Sequence, residues 1–295
     1  MAVKVEKFRM RTRTLSRLTA VATVTVMALA QAACTRPADA GSPAPTRSNA
    51  GTPLSITTAP SRIVADPPPA STTTGWGKPL FEDDFNESQL DGSAWGIYNS
   101  PDGTPPRSAA AVTLGAGALN ITGGIDAQGK DVSGGVGSAL NQMYGRWQVR
   151  FRVAAGAGYS AVALLWPQDD SAWPRAGEID FSEINRGSRT MMNMFVHNGA
   201  DNSQLSDAVR GDFTAWHTVA VEWLPGHVAF YLDGVRQSFV VTTKADPGMV
   251  PDVEPMHLAL QLDQGCDEWI QCRNANTPPK VVMQIDWVKI YSAPS

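Results

Sequence analysis

The stretch Gly177-Glu178-Ile179-Asp180-Phe181-Ser182-Glu183-Ile184 places three carboxylates close together in a run that reads as a β-strand. Side chains alternate faces along a strand, so Glu178 and Asp180 share one face and strict alternation sends Glu183 to the other. One extra residue, a β-bulge at Phe181-Ser182, returns Glu183 to the side of the first two. Three acids on one face repel one another and raise each other's pKa, which a strand built only for stability does not choose. Two neighbouring carboxylates are what hydrolysis of a glycosidic bond needs, one as nucleophile and one as acid/base. Taken alone, the stretch also allows a solvated, acid-rich edge strand.

Working outward, the flanking sequence is rich in strand signals. From Arg146 to Val153, Trp147, Val149, Phe151 and Val153 alternate with Arg146, Gln148, Arg150 and Arg152. Val219, Val221 and Trp223 lead through the turn Leu224-Pro225-Gly226-His227 to Val228, Phe230 and Leu232, and Asp233-Gly234 makes a hairpin turn. Met256, Leu258, Leu260 and Leu262 alternate with His257, Ala259, Gln261 and Asp263, and a last strand runs from Val281 to Tyr291. There is no internal repeat and, past the N-terminal run, no sustained helical periodicity. The expectation is an all-β, two-sheet antiparallel β-sandwich over residues 76–295.

The first 33 residues have a different character. Lys4, Lys7, Arg9, Arg11, Arg13 and Arg17 precede an apolar run that ends in small residues, the pattern of a secretory signal. The run is too short, and too rich in threonine, for a spanning helix. Without these residues, 18 Lys and Arg stand against 27 Asp and Glu, so nucleic acid is not an expected partner. Residues 34–75 are dense in Pro, Ser, Thr and Ala and read as an extended linker. Of three cysteines, Cys266 and Cys272 lie six apart in a chain read as exported, and are expected to form a loop-closing disulfide. Cys34 is left over. It follows Gln31-Ala32-Ala33 and looks like a bacterial lipobox cysteine, although Gln31 stands where Leu is usual. The reading is an exported protein, lipid-anchored at Cys34 or secreted, that touches a membrane only through that anchor.

Several segments together resemble glycoside hydrolase family 16, the laminarinase-like β-glucanases and galactanases. They are Phe81-Glu82-Asp83-Asp84-Phe85-Asn86 with Leu90 and Trp95; Tyr144-Gly145-Arg146-Trp147; and Ala163-Leu164-Leu165-Trp166-Pro167 with Trp173-Pro174 before the acid motif. Phe213 to Val235 and Ile285-Asp286-Trp287-Val288-Lys289-Ile290-Tyr291 complete the set. The resemblance spans nearly all of residues 79–291. It implies a jelly-roll sandwich of the concanavalin A type and a retaining endo-glycosidase acting on an extracellular polysaccharide, most simply a β-1,3-glucan. Transglycosylation, galactan hydrolysis and a non-catalytic carbohydrate-binding sandwich are the alternatives.

The resemblance implies that Glu178 is the nucleophile and Glu183 the general acid/base, with Asp180 between them keeping their protonation states apart. The spacing Glu-x-Asp-x-x-Glu resembles the laminarinase-type members. Ser182 departs from the family, where Met is common at that place. Aromatic platforms bind sugar rings, and Trp166, Trp173 and Trp269 are the candidates, whereas Trp147, Trp223 and Trp287 read as core. His197 and Gln261 are further substrate-binding candidates. Catalysis needs no cofactor, but many family members hold a structural calcium ion, for which Asp286, with Asp84 assisting, would supply oxygens. The protein is expected to act as a monomer on its polysaccharide.

Overall fold

The computed structural model describes residues 75–294. The N-terminal signal pattern, the linker up to residue 74 and Cys34 fall outside the described residues. Sixteen strands follow one another among those described. The first eight are β1 (Phe81–Asp83), β2 (Trp95–Ile97), β3 (Val112–Leu114), β4 (Leu119–Ile125), β5 (Asp131–Val132), β6 (Gly134–Gln142), β7 (Gly145–Val153) and β8 (Tyr159–Pro167). The second eight are β9 (Glu178–Ile184), β10 (Met191–Asn198), β11 (Ser203–Arg210), β12 (His217–Leu224), β13 (His227–Leu232), β14 (Val235–Thr242), β15 (Met256–Gln264) and β16 (Lys280–Tyr291).

They form two sheets, and every pairing between named strands is antiparallel. One runs β14-β13-β12-β7-β16-β4-β3, with β1 on β16 and β5 on β4; the other runs β11-β10-β9-β8-β15-β6-β2. The expected sandwich is therefore present, with the acid strand β9 in the interior of the second sheet.

Alternation decides what lies between the sheets. Trp147, Val149, Phe151 and Val153 of β7 meet Met256, Leu258, Leu260 and Leu262 of β15 and Ile179, Phe181 and Ile184 of β9 in one buried core. Burying each such side chain contributes about 1.5–3 kcal/mol. The opposite face of β7 points away from the core and from β9's sheet. There Arg146 pairs with Glu222 at 2.6 Å, Arg150 with Asp286, and the Arg152 Nε donates to Gln284 at 2.9 Å. This face is not the cleft.

One tryptophan departs from its expected place. Trp147 and Trp223 are fully buried, but Trp287 is half-buried, with the Lys289 ammonium over its ring. The ladder between β16 and β7 skips Asp286, and that bulge turns Trp287 outward.

Arg189 is the largest polar exception in the interior. Its guanidinium is wholly buried and donates to four backbone carbonyls, those of Ala154, Gly156, Tyr159 and Ile184. It ties the end of β9 to the start of β8 and the segment before it, just beyond the Ala161–Ile184 pair at which their ladder stops. Burial alone draws its pKa down.

Candidate active site

β9 begins at Glu178, directly after Gly177. Gly177 has φ +82°, and a Cβ there would come within 2.7 Å of the His197 carbonyl and 2.8 Å of Pro251. Only glycine admits this entry to the strand. On the β8 side Ala163 faces Ser182 and Leu164 faces Asp180, so Phe181 has no partner of its own; on the β10 side Asn193 faces Glu183 and Phe195 faces Asp180. The extra residue sits where the sequence required it. Ile179, Phe181 and Ile184 are buried beneath the strand, and Glu178, Asp180 and Glu183 all line the cavity above it. Ser182, at the bulge, is fully buried and its hydroxyl has no protein partner.

Each acid is held by a different neighbour. The Trp173 indole N–H donates to Glu178 Oε2 at 2.9 Å, and the Trp269 indole N–H donates to Glu183 Oε2 at 2.8 Å. Asp180, almost fully buried, faces His197 Nε2 at 3.4 Å, and His197 Nδ1 donates to Asn202 Oδ1 at 3.0 Å. Burial first and the charge of Asp180 second push the carboxyls of Glu178 and Glu183 well above the ordinary range. The two indole donors oppose this, because a hydrogen bond to a carboxylate favours its ionised form. Burial works against a charged His197, but the hydrogen bond to Asp180 and its charge outweigh it and raise the imidazole's pKa. The cluster therefore holds protons into neutral pH, the condition that acid/base chemistry on carboxylates needs.

Cavities open on both flanks of β9. Over β8 and β15 lies one of about 770 Å³, reaching from Glu178 and Glu183 to Arg107, His257 and Asp263. Over β10 and β11 lies one of about 370 Å³, lined by the same two glutamates with Phe195, His197, Gln204 and Trp269. The first has an apolar floor of Val162, Leu164 and Ala259 with Tyr98 and Trp166.

The five proposed sugar-binding residues all reach this cleft. Trp166 and Trp173 stack with centroids 5.7 Å apart and planes 18° apart, and the Trp166 N–H is fixed on Asp170 at 2.9 Å. Trp173 and Trp269 are each more than a third exposed. His197 faces Asp180, and Gln261 lines the larger cavity, its Oε1 accepting from Arg107. Sequence reasoning missed Arg107, which also grips Asp263 at 2.7 Å and lies over the Tyr98 ring. Its hydrogen-bond partners Gln261 and Asp263 lie 154 and 156 residues away, so no local spacing points to it. Asn202 was missed as well; its positive φ of 53°, in a turn between β10 and β11, is the one local trace.

The cysteines pair as expected, Cys266 with Cys272. The calcium reading fares differently. Arg150 already neutralises Asp286, while the Asp84 carboxylate caps its own turn by accepting from the Asn86 N–H at 3.3 Å. These two residues do not fit the ion, and nothing in the site's chemistry is routed through it. Among the described residues, Glu178, Asp180 and His197 are the one group of three or more acidic, His or Cys side chains whose ligating atoms gather within 4.8 Å.

Residues 109–289 match the family model for glycosyl hydrolases family 16. The chain belongs to this family. Among the proteins it resembles is a beta-glucanase of Paenibacillus polymyxa, 24% identical over 159 residues, which are 52% of this chain and 62% of that protein. A beta-glucanase of Bacillus subtilis (strain 168) is 26% identical over 150 residues, 50% of this chain and 57% of that protein. The chain thus spans roughly three-fifths of the length of these curated relatives. The catalytic domain of an endo-1,3-beta-glucanase (laminarinase) from Thermotoga petrophila RKU-1 superposes with a TM-score of 0.64 at 18% identity, covering 74% of this chain and 98% of that one. An endo-beta-1,3-glucanase from Pyrococcus furiosus gives 0.63 at 19%, covering 74% and 95%. At these identities the likeness is one of fold: the family sandwich, over residues that include the acid strand.

Proposed function

We propose that this protein is a retaining endo-glycosidase that cleaves internal β-linkages of an extracellular glucan, with β-1,3 linkages the preferred target. The observation that carries the reading is the placement of Glu178 and Glu183 on one bulged strand, each gripped by an indole N–H, with cavities on both sides of them. A polymer lying across β9 fills both flanks at once, so the bond over the acids is an internal one. In the reactive form the coupled pair has lost one proton: Glu178, ionised, attacks the anomeric carbon while Glu183, still protonated, gives its proton to the leaving oxygen; Glu183 then takes a proton from the water that releases the glycosyl-enzyme. Asp180, paired with His197, adds the negative charge that helps keep a proton on its two neighbours. The names of the relatives support the glucan class, and the N-terminal signal pattern with Cys34 supports export and a lipid anchor. A binding-only sandwich has no use for three like charges on one face. Transglycosylation uses the same intermediate, and the cavity beyond the acids gives room for a sugar acceptor.

Incubation with laminarin, lichenan, agar and carrageenan, with product sizing, tests the substrate. Short oligosaccharides from laminarin are expected; release from the galactans alone would overturn the glucan reading, and chain-length redistribution without new reducing ends would mark a transglycosylase. Azide rescue tests the roles. Glu178→Ala with azide should yield the α-glycosyl azide and Glu183→Ala the β-anomer, and the reverse pattern would exchange the two assignments.

A further inference from the structure

The loop of residues 265–279, between β15 and β16, carries more local fixing than a loop needs to close the sandwich. The Cys266–Cys272 disulfide staples it. Inside the staple, the Asp267 carboxylate accepts from the backbone N–H of Trp269 at 2.8 Å and of Ile270 at 2.6 Å, and the Asp267 N–H donates back to the Ile270 carbonyl at 3.1 Å. Ile270 is buried against Gly265, where even a Cβ would come within 2.7 Å of it. The Gln271 carbonyl accepts from Gly158 at 2.7 Å, and its side-chain oxygen accepts from Gly187 at 3.2 Å. What all this fixes in space is Trp269, whose ring meets Phe195 edge-on with centroids 5.4 Å apart.

An indole serving only as a sugar platform needs a free face and leaves its N–H to water. Here the N–H is committed to Glu183 Oε2 at 2.8 Å. We propose that Trp269 is a positioning residue for Glu183, and that the disulfide loop serves catalysis by aiming that indole N–H. This rests on the reading of Glu183 as the acid/base. The bond fixes which carboxyl oxygen is left to face the glycosidic oxygen, since one oxygen is occupied by the indole. It also favours the ionised state that Glu183 must reach after giving up its proton, and so assists the transfer. Glu183 is faced by Glu178 and Asp180 on its own strand, by His197 on β10, and by Asp263 with its partner Arg107 across the larger cavity. None of these is altered by changes at Trp269 or the cysteines.

The test is Trp269→Phe, which keeps a ring for stacking and removes the donor. On the polymer, kcat should fall about 10- to 100-fold with KM within about twofold, a loss of the size that misplaced catalytic groups cause. The alkaline limb of kcat/KM should move upward by about one pH unit, because Glu183 without its donor holds its proton longer. For an aryl glycoside with a good leaving group, kcat/KM, which reports a bond cleavage that needs little acid assistance, should stay close to the wild-type value. The Cys266→Ser/Cys272→Ser double variant, folded by circular dichroism, should reproduce the kcat loss and the limb shift, and adding Trp269→Phe to it should change little more. A rise in KM alone, or an unmoved limb with equal losses on both substrates, would overturn the proposal. Trp269→Phe can be judged even if the cysteine variant does not fold. Glu183→Gln separates the two claims: full activity on the polymer in that variant sinks the acid/base reading itself. An inactive Glu183→Gln beside an unaffected Trp269→Phe sinks only the positioning role.

Discussion

The outward faces of the two sheets are built on the same alternation and use charge in opposite ways. On the sheet containing β7, the outward cations of β7 and Lys289 of β16 meet partners: Arg146 with Glu222, Arg150 with Asp286, Lys289 with Glu82, and Arg152 with the Gln284 amide and the Trp216 ring. On the other sheet β9 places Glu178, Asp180 and Glu183 together with one imidazole among them. One face is satisfied and the other is left in conflict. Stability is served by the first arrangement, and groups poised to exchange protons are obtained from the second.

Substitution should break this contrast in opposite directions. Glu178→Gln is expected to lower kcat on the polymer by about 10⁴-fold or more, as loss of a nucleophile does, while raising the urea midpoint by relieving repulsion. An active Glu178→Gln, or one that unfolds at lower urea, would erase the distinction between the faces. On the other sheet Arg150→Met should cost about 2 kcal/mol, since it strips a charged hydrogen-bond partner from Asp286, and leave kcat per folded molecule within about twofold. The pH dependence sharpens the same contrast. Glu178, Glu183 and His197 all have pKa values raised in the folded state. The native protein therefore binds more protons than the unfolded chain from the ordinary carboxylate range upward, and its stability should fall as pH rises through neutrality. Urea titrations across pH read that slope directly, and Glu178→Gln should flatten it. The smallest effect concerns calcium: with Asp286 paired to Arg150 and Asp84 capping its own turn, EDTA is expected to leave the melting temperature within about 1 °C, and a larger fall would show that an ion is held there.

The contrast also explains what the sequence made legible. Glu178, Asp180 and Glu183, the bulge between them and Trp173 all fall within eleven residues, and a strand's period of two suffices to group them. The core faces of β7 and β15 were readable for the same reason. Arg107 and Asp263 were not, because they meet only when β15 and the segment after β2 come to lie side by side, and nothing near Arg107 in the chain foretells Asp263. Trp287 was misplaced because the bulge at Asp286 leaves no mark in composition. Trp269 was read as a platform, and the N–H it gives to Glu183 belongs to tertiary geometry alone. Arg189 looks like one more surface cation in Arg186-Gly187-Ser188-Arg189 and is instead wholly buried.

That last residue has a consequence for how the domain comes apart. Arg189 holds the carbonyls of Ala154, Gly156, Tyr159 and Ile184 with a single side chain. If the rim beyond β9 opened by itself, a guanidinium would leave four acceptors at once and those acceptors would lose their donor. Local fraying at this end is therefore suppressed, and the segments around residues 154–159 and 184–189 should exchange their amide hydrogens as one cooperative unit. The residue next to Glu183 is thereby tied into that unit, so the proton donor is set on rigid ground although the cleft above it lies open to water.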